Sequence, residues 1–221
     1  MPNAATQTSQ FYAFAKRAID ILFSIFLLLI FSPIILLVAL AIKTESEGTI
    51  LADTPERVGR RGKNFKMYKF RSMVKNAHTI LRNDPSYAEL YSKYKKGSYK
   101  LKDDPRITKV GKFIRKYSLD ELPQFFNVLQ GEMSIVGPRA YYPDELEDQQ
   151  KKYPHTRKAV KIVLSVKPGI TGFWQVTGRS EINFDKRIQM DANYALRRSV
   201  WYDLWIIFKT PWAMISGRGA L

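Results

Sequence analysis

Two adjacent carboxylates, Asp120 and Glu121, stand just ahead of a proline in the stretch Ser118-Leu119-Asp120-Glu121-Leu122-Pro123-Gln124. Their neighbours are basic: Lys109, Lys112, Arg115 and Lys116 precede them, and Gly137-Pro138-Arg139 follows. Proline lacks a backbone N–H and fits the first turn of a helix, so the spacing predicts a helix from about Glu121 to Gln130. The free N–H groups and positive dipole end of that helix would face both acids, keep them ionised and offer a place for a phosphate or metal-phosphate. The same residues support a plainer reading. Ser118 and Glu121 fit S-x-x-E, the capping box that starts a helix, and caps greatly outnumber active sites.

The wider chain favours an anionic partner. Its 221 residues carry 36 Lys+Arg against 20 Asp+Glu, a formal charge of +16. Such an excess suits nucleic acid, an anionic membrane surface or phosphorylated substrates. The absence of cysteine excludes a disulfide framework, a thiolate nucleophile and a cysteine zinc site. His78 and His155 lie far apart and read as ordinary surface residues.

The elements that must position the carboxylates begin with a run from Ile21 to Ile42 that holds no charged residue and would span about 33 Å as a helix. The first ten residues, small and polar, read as a disordered tail. Ser32-Pro33 divides the run at its centre and frees the carbonyl of Leu29, which the Ser32 hydroxyl is placed to satisfy. Lys16 and Arg17 flank one end, and Lys43, Arg57, Arg60, Arg61 and Lys63 the other, so both ends call for the same side of a membrane. A re-entrant helix-break-helix and a kinked single span both remain open on these grounds. A signal peptide fits less well, since the apolar part is too long.

Beyond the run, Arg57 to Gly62 reads as a turn between strands, and Phe65-Lys66-Met67-Tyr68-Lys69-Phe70 as a half-buried strand with Arg71 at its end. Val74 to Lys95 reads as two helices broken at Asp84-Pro85, and Val110 to Tyr117 as a short basic element. Gln130-Gly131 stops a helix, and Met133 to Val136 is a strand. Asp144 to Lys152 reads as a solvated acidic helix. Lys167 to Gly172 is a loop, and Phe173 to Val176 a short strand. Asn183 caps a further helix. Trp201, Trp205, Phe208, Trp212 and Ile215 fall within about 80° of one another on a helix. That face is either core or a membrane-interface surface, and Thr210-Pro211 marks a helix end.

In this order and spacing the motifs resemble the monotopic polyprenyl-phosphate phosphoglycosyltransferases, or bacterial sugar transferases. The pieces are Lys16-Arg17-x-x-Asp20, Ser32-Pro33, Lys69-Phe70-Arg71-Ser72-Met73, Asp104-Pro105-Arg106-Ile107-Thr108, Ser118 to Gln124, Gly137-Pro138-Arg139, Pro168 to Gly172 and Gln175 to Arg179. They cover nearly the whole chain. One departure is Ala140, where many members carry a second proline.

The resemblance implies an α+β fold, mostly helical with a few short strands. Residues 1–43 would form the tail and a re-entrant membrane hairpin broken at Ser32 and Pro33. Residues 44–221 would form a catalytic domain with interfacial amphipathic helices on the cytoplasmic face of the bacterial inner membrane. The reaction implied moves a phosphosugar from a UDP-sugar to polyprenyl phosphate and releases UMP. Asp120 would be the nucleophile, and Mg²⁺ would be held by Asp120 and Glu121. Arg71, Arg115 and Arg139 would take phosphates, and Gln175 and Arg179 the nucleotide sugar. A membrane-anchored protein that binds anionic lipid or nucleic acid without catalysis is the competing class. It leaves two carboxylates unexplained, because they would repel a polyanion.

Overall fold

The structure is a computed structural model that describes residues 10–96, 99, 101, 103–177 and 182–215. It opens with two helices, α1 (Gln10–Ile30) and α2 (Ser32–Glu45), bent by 63° across Phe31. The cause is the expected one: Pro33 has no N–H for the Leu29 carbonyl, and the Ser32 hydroxyl donates to it at 2.8 Å. Among the described residues no single helix is long and apolar enough to cross a membrane, and only together does the bent pair carry that apolar length. Leu22, Phe26, Leu29, Leu36, Leu37 and Leu40 project from the pair into the surroundings.

Next come β1 (Arg57–Val58) and β2 (Asn64–Phe65), antiparallel with Arg57 opposite Phe65 across the turn Arg60–Gly62. The alternating stretch beyond β2 is extended but ladders piecemeal. Arg71 donates its N–H to Ile50, and Phe70 donates its N–H to the carbonyl of Asp120 at 2.9 Å. Helices α3 (Ala77–Asn83) and α4 (Ala88–Lys96) break at Asp84-Pro85, as the periodicity predicts. Helix α5 (Lys109–Lys116) is capped by Thr108, whose hydroxyl accepts the Gly111 N–H at 2.9 Å. Gly111 lets this helix sit directly on the Ser72 backbone, since a Cβ there would lie 2.0 Å from the Ser72 oxygen.

The remaining elements are α6 (Gln124–Gln130), β3 (Ser134–Val136), α7 (Pro143–Lys152), α8 (Arg157–Val163), β4 (Gly169–Thr171), α9 (Phe173–Thr177), α10 (Phe184–Arg197) and α11 (Val200–Ile215). The α+β reading holds, with helix predominating. One core joins the N-terminal pair to the rest: Val38 and Ile42 pack in the same cluster as Ile114, Val128, Val136, Tyr194 and Ile206. Each such buried aliphatic side chain contributes about 1.5–3 kcal/mol.

Several local expectations are corrected. Lys167 to Gly172 is not all loop, because Gly169–Thr171 pairs in parallel with β3, Ser134 opposite Gly169. A Cβ on Gly169 would fall 2.1 Å from the Gly137 nitrogen, so only glycine admits this approach. Phe173 to Val176 is a turn of helix rather than a strand. Helix α7 is not merely solvated: Glu145, Leu146 and Gln149 are buried, and Glu145 pairs with buried Arg187 at 3.2 Å. Helix α11 continues through Pro211 instead of ending at Thr210. Its Asp203 and Ile206 face inward, while Trp201, Trp205, Phe208 and Trp212 are 81%, 42%, 88% and 73% exposed, so the aromatic face is not core. The side chain of Ile215 lies outside the described residues.

Lys16 and Arg17 are not free positive flanks. Lys16 pairs with Asp203 at 2.8 Å and donates to the Val136 carbonyl at 3.0 Å. Arg17 donates to the carbonyls of Val128 and Leu129 at the end of α6. Asp20 accepts the Ser134 hydroxyl and the Ile135 N–H, each at 2.9 Å. Helix α1 thereby grips both α6 and β3.

Candidate active site

The carboxylates sit on a short 3₁₀ turn, Leu119–Glu121, three residues ahead of α6. The helix expected from Glu121 therefore begins late, with Pro123 at its cap, and its N-terminus does not serve Asp120. The capping box is also absent. Ser118 adopts a left-handed conformation (φ 55°) and its side chain caps nothing. Instead, the turn is fixed by the Phe70 N–H on the Asp120 carbonyl and by the Glu121 N–H on that of Ser118.

That register brings in Lys69, the residue next to Phe70. Its ammonium lies 2.6 Å from Glu121 Oε1 and 3.7 Å from Asp120 Oδ2. The two acids, both expected to be held ionised, have different surroundings. Burial pushes the Asp120 carboxyl above the usual carboxylate range, against the attraction of Lys69 and Arg115. For Glu121, burial is outweighed by the charge and hydrogen bond of Lys69, and its carboxyl is held low. Burial likewise opposes the Lys69 charge, but the two carboxylates hold its ammonium above its ordinary range. One carboxylate is committed to an ion pair, and its neighbour is more basic and faces open space.

The space is a cavity of about 950 Å³, walled near the carboxylates by Arg57, Lys69, Arg115, Arg139 and Trp174. Of the arginines expected to take phosphate, Arg139 lines the cavity with its Nε buried and without an acceptor among the described residues. Its plane lies 5.8 Å from the Trp174 ring and 5.9 Å from Tyr141. Arg115 donates Nε to the Ser72 hydroxyl at 2.8 Å and reaches the same cavity. Arg71 lines the wall, but its guanidinium is bonded to the carbonyls of Ile42, Ser46 and Glu47. It closes the C-terminal end of α2 with its two terminal nitrogens, and its Nε is buried without an acceptor among the described residues. Gln175 borders the cavity and donates to the Ile170 carbonyl at 3.0 Å. Arg179 lies outside the described residues.

Behind Arg139, its backbone N–H reaches Asp191 Oδ2 at 3.1 Å, and the Tyr141 hydroxyl reaches the same oxygen at 3.3 Å. Asp191 is fully buried on α10, and burial raises its carboxyl to about 7. Asp104 and Arg106 form a buried bidentate pair, at 2.8 and 2.6 Å, that fixes the far wall.

Four wall residues were not among the site residues expected from the sequence. Lys69 was legible: parity places it with Phe65 and Met67, the inward face of the extended stretch, and not with Lys66. Arg57 lies face-on to Tyr142, 3.2 Å from the ring centroid, and donates to the Ala140 carbonyl. Trp174 was hidden by the strand expected there. His78 is not an ordinary surface residue. It lines the cavity edge-on to Tyr142, and burial followed by the arginine charges lowers its imidazole to about 4, so it is neutral at pH 7.

For a divalent cation the donor set is lean. No group of three or more His, Cys, Asp or Glu side chains converges among the described residues. Asp120 and Glu121 fit Mg²⁺, which binds through one or two carboxylates and completes its shell with water and substrate phosphate. They would not suit an ion that needs an all-protein cage.

A family model described as bacterial sugar transferase matches residues 11–217. The undecaprenyl-phosphate galactose phosphotransferase of Salmonella typhimurium is 45% identical over 99% of this chain and 43% of its own length. The exopolysaccharide production protein ExoY of Sinorhizobium fredii is 40% identical over 93% of this chain and 88% of its own. The UDP-glucose:undecaprenyl-phosphate glucose-1-phosphate transferase of Escherichia coli is 39% identical over 93% of this chain and 41% of its own. The chain thus spans less than half of the first and last of these relatives.

Proposed function

The chain belongs to the bacterial sugar transferase family, and from that premise we propose that it moves a phosphosugar from a UDP-sugar to undecaprenyl phosphate, releasing UMP. The observation that carries this reading is Asp120. It is a carboxylate of raised basicity, 3.7 Å from an ammonium whose closer bond goes to Glu121, and it opens onto a cavity rimmed by Arg57, Lys69, Arg115 and Arg139.

In this reading Asp120 attacks the sugar-bearing phosphorus of the diphosphate. The bond from that phosphorus to the UMP oxygen breaks, and an aspartyl-phosphosugar remains. An oxygen of the lipid phosphate then attacks the same phosphorus, and the electron pair of the Asp120–phosphorus bond returns to the carboxylate. Lys69 and the arginines hold the phosphate oxygens and lower the repulsion between Asp120 and an anionic substrate. Asp120 and Glu121 would hold Mg²⁺. When bound, that ion supplies further neutralisation of the diphosphate. Exclusion of water from the buried turn favours transfer over hydrolysis.

The exposed apolar surfaces of α1, α2 and α11 support a monotopic seat on the inner membrane, with the helix break re-entrant and the cavity on the cytoplasmic side. Relatives named for galactose and glucose make UDP-galactose and UDP-glucose the first donors to assay. Asp120→Asn is the test. UMP release in the presence of undecaprenyl phosphate should fall at least a thousandfold, and a normal rate in this variant would end the covalent reading.

A further inference from the structure

Helix α6 ends at Gly131, whose left-handed φ of 84° favours glycine and leaves the backbone bare beneath two cations. A Cβ there would lie 3.4 Å from Lys167 Nζ and 3.9 Å from a terminal nitrogen of Arg17. The two arrive from separate parts of the chain. Arg17 comes from α1 and is held by the carbonyls of Val128 and Leu129 at 2.7 and 2.8 Å. Lys167 stands two residues ahead of β4, where the Ser134 N–H donates to the Pro168 carbonyl at 2.9 Å and fixes the backbone. Arg60 adds a third cation, with its Nε on the Ser165 carbonyl at 3.1 Å.

This charge is not balanced within the protein. Lys167 is half-buried and has no hydrogen-bond or ion-pair acceptor among the described residues. Asp20 attracts it, but that carboxylate is buried and already accepts from Ser134 and Ile135. Glu132 is turned to the Asn127 amide at 2.6 Å, and the stretches 57–83 and 149–177 hold no acidic residue. Burial, and then the charges of Arg17, Arg60 and Lys16, hold the Lys167 ammonium below its ordinary range. Lys16 is itself committed to Asp203. An unpaired ammonium beside a guanidinium gains from a ligand that brings anionic oxygens. The position says which ligand. The uncharged run begins one turn on from Arg17, at Ile21, and Leu22, Ile25 and Leu29 are exposed along α1. Cations at the foot of an apolar surface match a molecule with a charged head and apolar tails.

We infer that Arg17, Lys167 and Arg60, around the bare backbone of Gly131, form a site for the phosphodiester headgroup of an anionic phospholipid whose acyl chains lie along α1. None of these residues lines the cavity that holds Asp120 and Glu121. The inference rests on the membrane seat proposed above for α1 and α2, and not on the transfer chemistry. A headgroup held here joins α1 to the end of α6 and to the segment that leads into β4, so its binding stabilises the folded chain.

The full-length chain should float with phosphatidylcholine vesicles; failure to float would remove the membrane seat and this site with it. The unfolding midpoint in neutral detergent is then followed as short-chain phosphatidylglycerol, short-chain phosphatidylcholine, inorganic phosphate or a short-chain polyprenyl phosphate is added. Phosphatidylglycerol should raise the midpoint saturably, and phosphatidylcholine should not. Lys167→Gln should weaken phosphatidylglycerol binding about fivefold, the effect of one cation at headgroup level, and Lys167→Arg should restore it. Because Lys167 is unpaired and repelled by its neighbours, the ligand-free midpoint of Lys167→Gln should not fall. Equal responses to the two phospholipids, an unchanged phosphatidylglycerol affinity in Lys167→Gln, or a fall in its ligand-free midpoint would overturn the site. Inorganic phosphate acting as strongly as phosphatidylglycerol would make this a small-anion site. Tighter binding of polyprenyl phosphate with the same dependence on Lys167 would assign it to the substrate lipid, and either result refutes the phospholipid. Loss of lipid selectivity leaves the transferase reading untouched, just as absent UMP release leaves this site untouched.

Discussion

Replacing Lys69 with Met leaves buried Asp120 and half-buried Glu121 without the cation that lies between them. At the 3.7 Å separation from Asp120, a unit charge pair is worth about 1 kcal/mol in water and about 4 kcal/mol at an effective dielectric of 20. The Asp120 side chain is 10% exposed, which puts the site nearer the second figure. Every 1.4 kcal/mol is a factor of ten in the ionisation equilibrium. The sign follows from what already acts on the group. Burial raises the Asp120 carboxyl and Lys69 opposes it, so removing Lys69 raises it further. Only the ionised carboxylate attacks, and the variant should therefore lose activity on the acid side, at a higher pH than the wild type. At a pH below the variant's acid limb, kcat/KM for UMP release should fall by ten- to a thousandfold, and much of the loss should return on raising the pH. Lys69→Arg, which keeps the charge, should retain the wild-type acid limb. A loss of equal size at every pH would refute the electrostatic role and leave Lys69 as a packing residue or direct phosphate ligand.

Asp191 gives a stability prediction of the opposite slope. Its folded carboxyl titrates near 7, above the ordinary value of about 3.9, so the folded chain binds the extra proton between those limits. Stability should fall as pH rises from about 4 to 7, by up to about 4 kcal/mol, and level off above. Thermal unfolding of Asp191→Asn should lack that decline, and an identical pH dependence in variant and wild type would place the proton elsewhere. On α11, Phe208 is 88% exposed, so Phe208→Asp should cut binding to anionic vesicles about tenfold or more with little change in unfolding midpoint. Unchanged co-sedimentation would remove this face from membrane contact.

What the sequence revealed and what it hid have separate physical causes. The helix break at Ser32-Pro33, the stop at Gly131 and the break at Asp84-Pro85 are local events, fixed by missing N–H groups and turn chemistry, and each was legible. The pairing of residues 169–171 with 134–136 depends on partners far apart in sequence, so a Gly-Pro-rich stretch read as loop. Trp174 went unseen because Phe173 to Thr177 sits in helix only where β4 delivers it. At Asp120 the expected surroundings differ from those found. A helix end was invoked, whereas the nearest positive charge is that of Lys69, set beside the turn by the backbone hydrogen bonds of Phe70 to Asp120 and of Ala52 to Lys69. Arg71 shows that an arginine on a cavity wall can spend both terminal guanidinium nitrogens on closing a helix.

The closure of α2 by Arg71 also bears on how the molecule can be cut. The boundary at residue 43 separates an apolar segment from a basic one, and it would be the natural place to trim an anchor. Yet Arg71 would lose the carbonyl of Ile42 and the helix that holds those of Ser46 and Glu47 in place, and Val38 and Ile42 would vanish from the central core. The grip of Lys16, Arg17 and Asp20 on β3 and α6 would be lost as well. The apolar helix pair is thus part of the frame of the molecule, and no version shortened to residues 44–221 should keep the Asp120–Glu121 turn in order.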